Sequence, residues 1–186
     1  DNRFINLTLL IDQGEDAQGV RWQAQEHRRF NDLRDILKEF SDNPALVLLG
    51  APGSGKSTLL RRFQLDDAID RSRDDGEGLS FFIQLNNYRD GSSPRDWLNT
   101  EWKRRYPTLP PFNQLLDEGK LLLLLDALNE MPHRSPAEYH EKVGLWKAFI
   151  QEIVPAGNRV ILSCRSLEYS ASLSSSDLRV PQIVVQ

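Results

Sequence analysis

The sequence predicts a three-layer α/β/α protein, with helices on both faces of a five-stranded parallel sheet. Two observations carry this. Short, wholly apolar runs such as Ala45–Leu49 and Leu121–Leu125 alternate with segments of helical periodicity. Strands of that kind are buried on both faces of a parallel sheet, whose members are joined by right-handed crossovers. The first of these runs also leads through a glycine-rich loop straight into a helix, LVLLGAPGSGKSTLLRRF over residues 46–63.

The elements follow in order. Phe4–Ile11 alternates weakly and reads as a short strand, and Asp12–Gly19 as a polar loop, so residues 1–25 are expected to form a linker with a short strand. From Glu26 to Phe40 the residues Phe30, Leu33, Ile36, Leu37 and Phe40 fall at helical spacing and predict an amphipathic helix opening the main domain, 26–186. Pro44 ends it, because proline cannot continue a helix and disfavours one just before it. Ala45–Leu49 is the first central strand, and a helix runs from Gly55 to about Ile69.

Arg71–Gly78 is a charged loop, Leu79–Leu85 the second strand and Tyr88–Ser93 a turn. Ser93-Pro94-Arg95-Asp96 is a helix start, with a serine cap, proline in the first turn and an acid soon after. That helix carries Trp97, Leu98 and Trp102 and stops at Pro107; Pro110-Pro111 opens a short one, Phe112–Glu118, closed by Gly119. Leu121–Leu125 is the third strand. A long helix from Ser135 or Pro136 to about Val154 is broken by Pro155-Ala156-Gly157-Asn158. Val160–Ser163 is the fourth strand, Ser170–Asp177 a serine-rich loop and Pro181–Val185 the fifth strand.

Composition narrows the function. With 186 residues, 27% of them charged, and a net charge of -4, nothing marks a nucleic-acid surface. The single cysteine, Cys164, excludes an internal disulfide framework and fits a reducing, cytoplasmic compartment. The longest apolar run, Leu121–Leu125, is far too short to span a bilayer. The N-terminal DNRFINLTLL has no basic region followed by an apolar core, so no secretion signal is expected.

Gly50-Ala51-Pro52-Gly53-Ser54-Gly55-Lys56-Ser57 fits the pattern G-x-x-x-x-G-K-[ST], which a chain this long matches by chance with a probability of about one per cent. Glycines open conformations closed to other residues and let the backbone approach a ligand. The inward-turned amides and the N-terminus of the following helix favour an anion. Lys56 is placed to contact β- and γ-phosphates and the Ser57 hydroxyl to bind Mg²⁺; Thr58 follows in the helix and is counted with the loop. Leu121–Leu125 ends in Asp126, a carboxylate suited to hold Mg²⁺ opposite Ser57. Beyond it, Glu130 is the candidate to orient or deprotonate an attacking water. Asn129 can hydrogen-bond such a water but cannot take its proton. Arg165, at the end of the fourth strand, suits a γ-phosphate sensor, since its planar cation makes paired hydrogen bonds to phosphate oxygens. Ligands bind such sheets beyond the carboxyl ends of the strands, where Gly50, Asp126 and Arg165 all lie.

GAPGSGKST, SFFIQLNNYRD, LLLLLDALNE and VILSCRS together resemble the NACHT group of STAND P-loop ATPases, signalling relatives of the AAA class. The resemblance covers the chain from about Glu26 to the last strand. It implies a P-loop NTPase core that binds ATP or ADP with Mg²⁺ and hydrolyses ATP slowly. It also implies a nucleotide state that controls homo-oligomerisation, and flanking effector and sensor domains. The family places two acids after the small and apolar residues that follow its aspartate; here the pair is Asn129-Glu130, which puts rapid hydrolysis in doubt. The winged-helix module with a phosphate-contacting histidine is expected C-terminal to this segment, so His27, His133 and His140 are not given that role. No N-K-x-D motif for guanine occurs, which favours adenine. Two alternatives stay open: a non-hydrolysing nucleotide-binding scaffold, and a small-molecule kinase, which would need an acceptor pocket and an arginine-rich lid. Arg71-Ser72-Arg73 lies in a loop that invites misreading as such a lid, and the LDALNE strand fits a hydrolase-like switch better.

Overall fold

The computed structural model describes residues 5–12, 22–30, 32–73, 78–89, 92–169 and 173–185. The apolar runs form five parallel strands: β3 (Ala45–Gly50), β4 (Leu79–Gln84), β5 (Leu121–Asp126), β6 (Arg159–Arg165) and β7 (Gln182–Val185). Their spatial order is β7-β3-β6-β5-β4, so β6 lies between the strand that precedes the glycine loop and the strand that ends in Asp126. Two antiparallel strands, β1 (Ile5–Asp12) and β2 (Trp22–Phe30), extend the sheet beyond β7.

One expectation is corrected here. The predicted helix from Glu26 to Phe40 is strand as far as Phe30, and α1 spans only Leu33–Glu39. Residues 22–30 pair along β1, with Phe30 opposite Ile5. The helix then starts at its own cap, where the Asp32 carboxylate accepts from the Asp35 amide at 3.0 Å. The helical spacing was real only from Leu33 onward; Phe30 joins the same apolar cluster from the end of a strand. The expected loop residues 13–19, 74–77, 90–91 and 170–172 lie outside the described residues.

Alternate residues of each central strand point to opposite faces, as strand geometry requires. Leu46, Leu48, Phe82, Leu124 and Ile161 pack with Leu33 and Ile36 of α1 and with Leu60 and Phe63 of α2 (Lys56–Arg71). Val47, Phe81, Ile83, Leu123 and Leu162 face α3 (Pro94–Arg105), α4 (Phe112–Asp117) and α5 (Pro136–Ile153). This is the three-layer arrangement expected. On the second face Tyr88, Trp97 and Trp146 meet edge to face, with Tyr88–Trp146 centroids 5.3 Å apart. Asn158 joins three elements from a fully buried position. Its amide donates to Leu116 O and Ile153 O, and its oxygen accepts from the Leu121 amide.

Candidate functional site

The loop after β3 closes tightly on its own strand. A Cβ at Gly50 would lie 2.5 Å from Ser54 Oγ and 2.7 Å from Val185 O, so only glycine fits there. Gly53 and Gly55 hold φ of +77° and +90°, a region glycine enters without strain. The loop thereby leads into α2 with Gly55 as its cap residue.

The start of α2 differs chemically from the starts of α1, α3 and α5. Ser93 and Ser135 cap α3 and α5 with a side-chain oxygen, each with an acid in the first turn, as Asp32 and Asp35 do for α1. The start of α2 has neither a side-chain cap nor an acid. Its first amides and its dipole are therefore available to an anion rather than consumed by the chain. Lys56, the first helical residue, folds its ammonium back over the loop. It donates to Gly50 O at 2.8 Å, Ala51 O at 2.9 Å and Ser54 Oγ at 3.2 Å. Burial pulls its pKa below the ordinary lysine value; the carboxylates of Asp126 and Glu130 oppose that fall and Arg165 adds to it. Lys56 thus feels the charged residues from the ends of β5 and β6, as convergence on one site requires.

Asp126 is fully buried at the end of β5. Its Oδ1 accepts from Ser57 Oγ at 2.9 Å and from Ser163 Oγ at 2.6 Å, while its Oδ2 is buried with no hydrogen-bond partner among the described residues. Ser163 Oγ accepts in turn from the Ala127 amide at 2.8 Å. A buried carboxylate oxygen without a partner, beside a serine hydroxyl at a helix start, fits a hard divalent cation such as Mg²⁺. No group of three or more His, Cys, Asp or Glu side chains forms a metal cage among the described residues, so such an ion would draw its other ligands from water or phosphate.

The turn after Asp126 is tight. Ala127 has φ of +61°, and Leu128–Glu130 forms one 3-10 turn. Glu130 and Arg165 are both partly exposed and form an ion pair, with Arg165 Nη2 at 3.1 Å from Glu130 Oε1. The other arm of Arg165 donates to Glu168 Oε1 at 3.0 Å. These carboxylates, Glu168 foremost, hold the guanidinium above its usual pKa. Asn129 is turned inward: its oxygen accepts from the Arg165 amide at 3.1 Å and its Nδ2 donates to Glu168 Oε2 at 2.6 Å.

The structure therefore brings together Lys56, Ser57, Asp126, Glu130 and Arg165, and sets the Asn129 side chain into the wall beneath them. Sequence reasoning gave Ser163 and Glu168 no role. A serine inside the apolar run VILSCR, and an acid three residues after the arginine, were the available signals. Cys164 is fully buried, and burial pushes its thiol up to about 12, the behaviour of an apolar filler.

A family model described as NACHT domain matches residues 45–182. The chain belongs to the NACHT family. It is accordingly a nucleotide-binding P-loop NTPase domain. Among solved structures, the NACHT chain is similar to the Walker-type ATPase PABY2304 of Pyrococcus abyssi, at 17% identity and TM-score 0.41, over 70% of this chain and 43% of that one. It is also similar to a chain of the HORMA:CdnC:Trip13 complex of E. coli MS115-1, at 17% identity and TM-score 0.45, over 77% and 48%. The Pif1 helicase of Candida albicans matches at 14% identity and TM-score 0.43, over 84% and 39%. The chain spans less than half the length of each of these proteins. No curated protein matches it in sequence. No described helix is long and apolar enough to cross a membrane.

Proposed function

We propose that this NACHT domain is a switch that binds ATP or ADP with Mg²⁺, hydrolyses ATP slowly, and through its nucleotide state governs homo-oligomerisation of a longer cytoplasmic signalling protein. The observation that carries the reading is Asp126 Oδ2, which has no hydrogen-bond partner among the described residues and is buried beside Ser57 in the first turn of a helix without a side-chain cap. The loop amides and Lys56 hold the polyphosphate, with Lys56 exchanging the carbonyls of Gly50 and Ala51 for phosphate oxygens. Ser57 and Asp126 hold Mg²⁺, which offsets phosphate charge. Glu130 orients the attacking water, and Arg165 contacts the γ-phosphate. A reaction of this kind depends on positioning and charge compensation more than on covalent steps by the protein.

Slow turnover suits the arrangement, because Glu130 is the sole acid of the 129–130 pair and is engaged by Arg165. The same observation favours a second reading, a scaffold that binds nucleotide without hydrolysing it. Fluorescent-nucleotide titration and phosphate release separate these readings. Lys56→Ala is expected to weaken binding of both nucleotides by more than tenfold, and unchanged affinity would overturn the site. Turnover abolished by Glu130→Gln supports the ATPase; tight binding with no turnover in the parent protein supports the scaffold.

A further inference from the structure

Arg165, Asn129 and Glu168 form a closed ring of hydrogen bonds beside the site. The Arg165 amide donates to Asn129 Oδ1, Asn129 Nδ2 donates to Glu168 Oε2, and Arg165 Nη1 donates to Glu168 Oε1. Position 129 needs a side chain that accepts from an amide on one side and donates to a carboxylate on the other. A side-chain amide does both, whereas an ionised aspartate has no donor and would face Glu168 with like charge. Asparagine at a position where the family places an acid is thus explained by Glu168: the second carboxylate stands on the turn after β6 instead of on the turn after β5. The result is that Arg165 lies between two carboxylates, Glu130 and Glu168.

We propose that Glu168 is a positioning residue that sets the preference of this site between ATP and ADP. The inference rests on the reading of Arg165 as the contact of the γ-phosphate. Glu168 occupies one arm of the guanidinium and contributes a negative charge where a γ-phosphate would arrive. ATP must displace or share that contact, whereas ADP, with no γ-phosphate, need not. Asn129 anchors the carboxylate from below and keeps this competition in place.

The test measures Mg-ATP and Mg-ADP affinities of Glu168→Gln by fluorescence titration, beside thermal melting of Asn129→Asp and Asn129→Asp/Glu168→Gln without nucleotide. Glu168→Gln keeps an acceptor for Asn129 but removes the charge and, with its one oxygen so used, the acceptor of Arg165 Nη1. It is expected to tighten ATP about threefold, the range of a partly exposed ion pair, with ADP moved less than twofold and the ATP:ADP ratio less dependent on salt. Asn129→Asp should melt lower, because it sets two carboxylates together. The double variant should recover most of the loss, since the new glutamine amide donates to the new aspartate. A purely structural Glu168 would shift both nucleotides equally, and that outcome overturns the proposal. An Asn129→Asp protein as stable as its parent overturns the ring. If Lys56→Ala leaves nucleotide binding intact, the site reading fails; if it abolishes binding while Glu168→Gln leaves the ATP:ADP ratio unchanged, only the role of Glu168 fails.

Discussion

Ser163→Ala removes one oxygen that serves two partners. The hydroxyl donates to Asp126 Oδ1 at 2.6 Å and accepts from the Ala127 amide at 2.8 Å, in a position only 1% exposed. A hydrogen bond to a buried charge contributes about 1.5–3 kcal/mol and one to a neutral amide about 1 kcal/mol. Among the described residues Asp126 would be left with Ser57 as its sole donor. The Ala127 amide belongs to a residue at φ +61°, so its backbone cannot turn to a new acceptor without further cost. The expected loss is about 3 kcal/mol, or a melting point lower by about 6–12 °C for a domain of this size. Urea unfolding with an unchanged m-value is the assay. A double-mutant cycle with Asp126→Asn isolates the shared part. A loss below about 1 kcal/mol, or coupling below about 0.5 kcal/mol, would refute the claim that Ser163 holds the carboxylate.

Asn158→Ala should cost about 3 kcal/mol by urea denaturation, since it strips partners from Leu116 O, Ile153 O and the Leu121 amide, while leaving the ATP:ADP affinity ratio unchanged. Lys56 has its pKa lowered in the folded protein, so Mg-ATP affinity should begin to fall with rising pH below the ordinary lysine value of 10.5, whereas Lys56→Arg keeps a flat profile over the same range. For stability the sign is opposite: burial opposes folding while the lysine is charged, and that penalty fades as pH rises past the lowered value. Cys164, with its thiol pushed up to about 12, should resist iodoacetamide at pH 8 in the folded protein and react within minutes in urea; modification at equal rates would contradict its burial.

The parallel core was legible because its strands are apolar on both faces, and runs as short as LVLL and LLLLL, bounded by Gly, Pro or Asp, fit a buried strand better than a helix. The phosphate loop was legible because sterics restrict its residue types: Gly50 against Val185 O, and Gly53 and Gly55 at positive φ. The N-terminal boundary was not. Phe30 satisfied a helical period by packing beside Leu33 and Ile36 from a different element, and only pairing with β1, distant in sequence, decides for strand. Glu168 was hidden for the same reason. Its meaning depends on Asn129, a residue 39 positions away that the turn after β5 brings against it. Local patterns record local geometry, and both misses are long-range pairings.

The strand order explains why Ser163 had to be polar. With β6 between β3 and β5, the loop strand and the acid strand stand about 10 Å apart, too far for direct contact. Leu124 and Ile161 face the α1/α2 layer, so two steps along each strand Asp126 and Ser163 face it too, on the side where Ser57 stands in the first turn of α2. Leu125 pairs with Leu162, which sets Asp126 level with Ser163, and Gly50 pairs with Arg165, which sets the arginine level with the start of the loop. The residue at 163 must therefore support a buried carboxylate on one strand and take an amide from the turn beyond it, with one small group that both donates and accepts. A hydroxyl does this; an aliphatic side chain in its place would continue the apolar run but leave the carboxylate and the Ala127 amide short of a partner in the least hydrated part of the site.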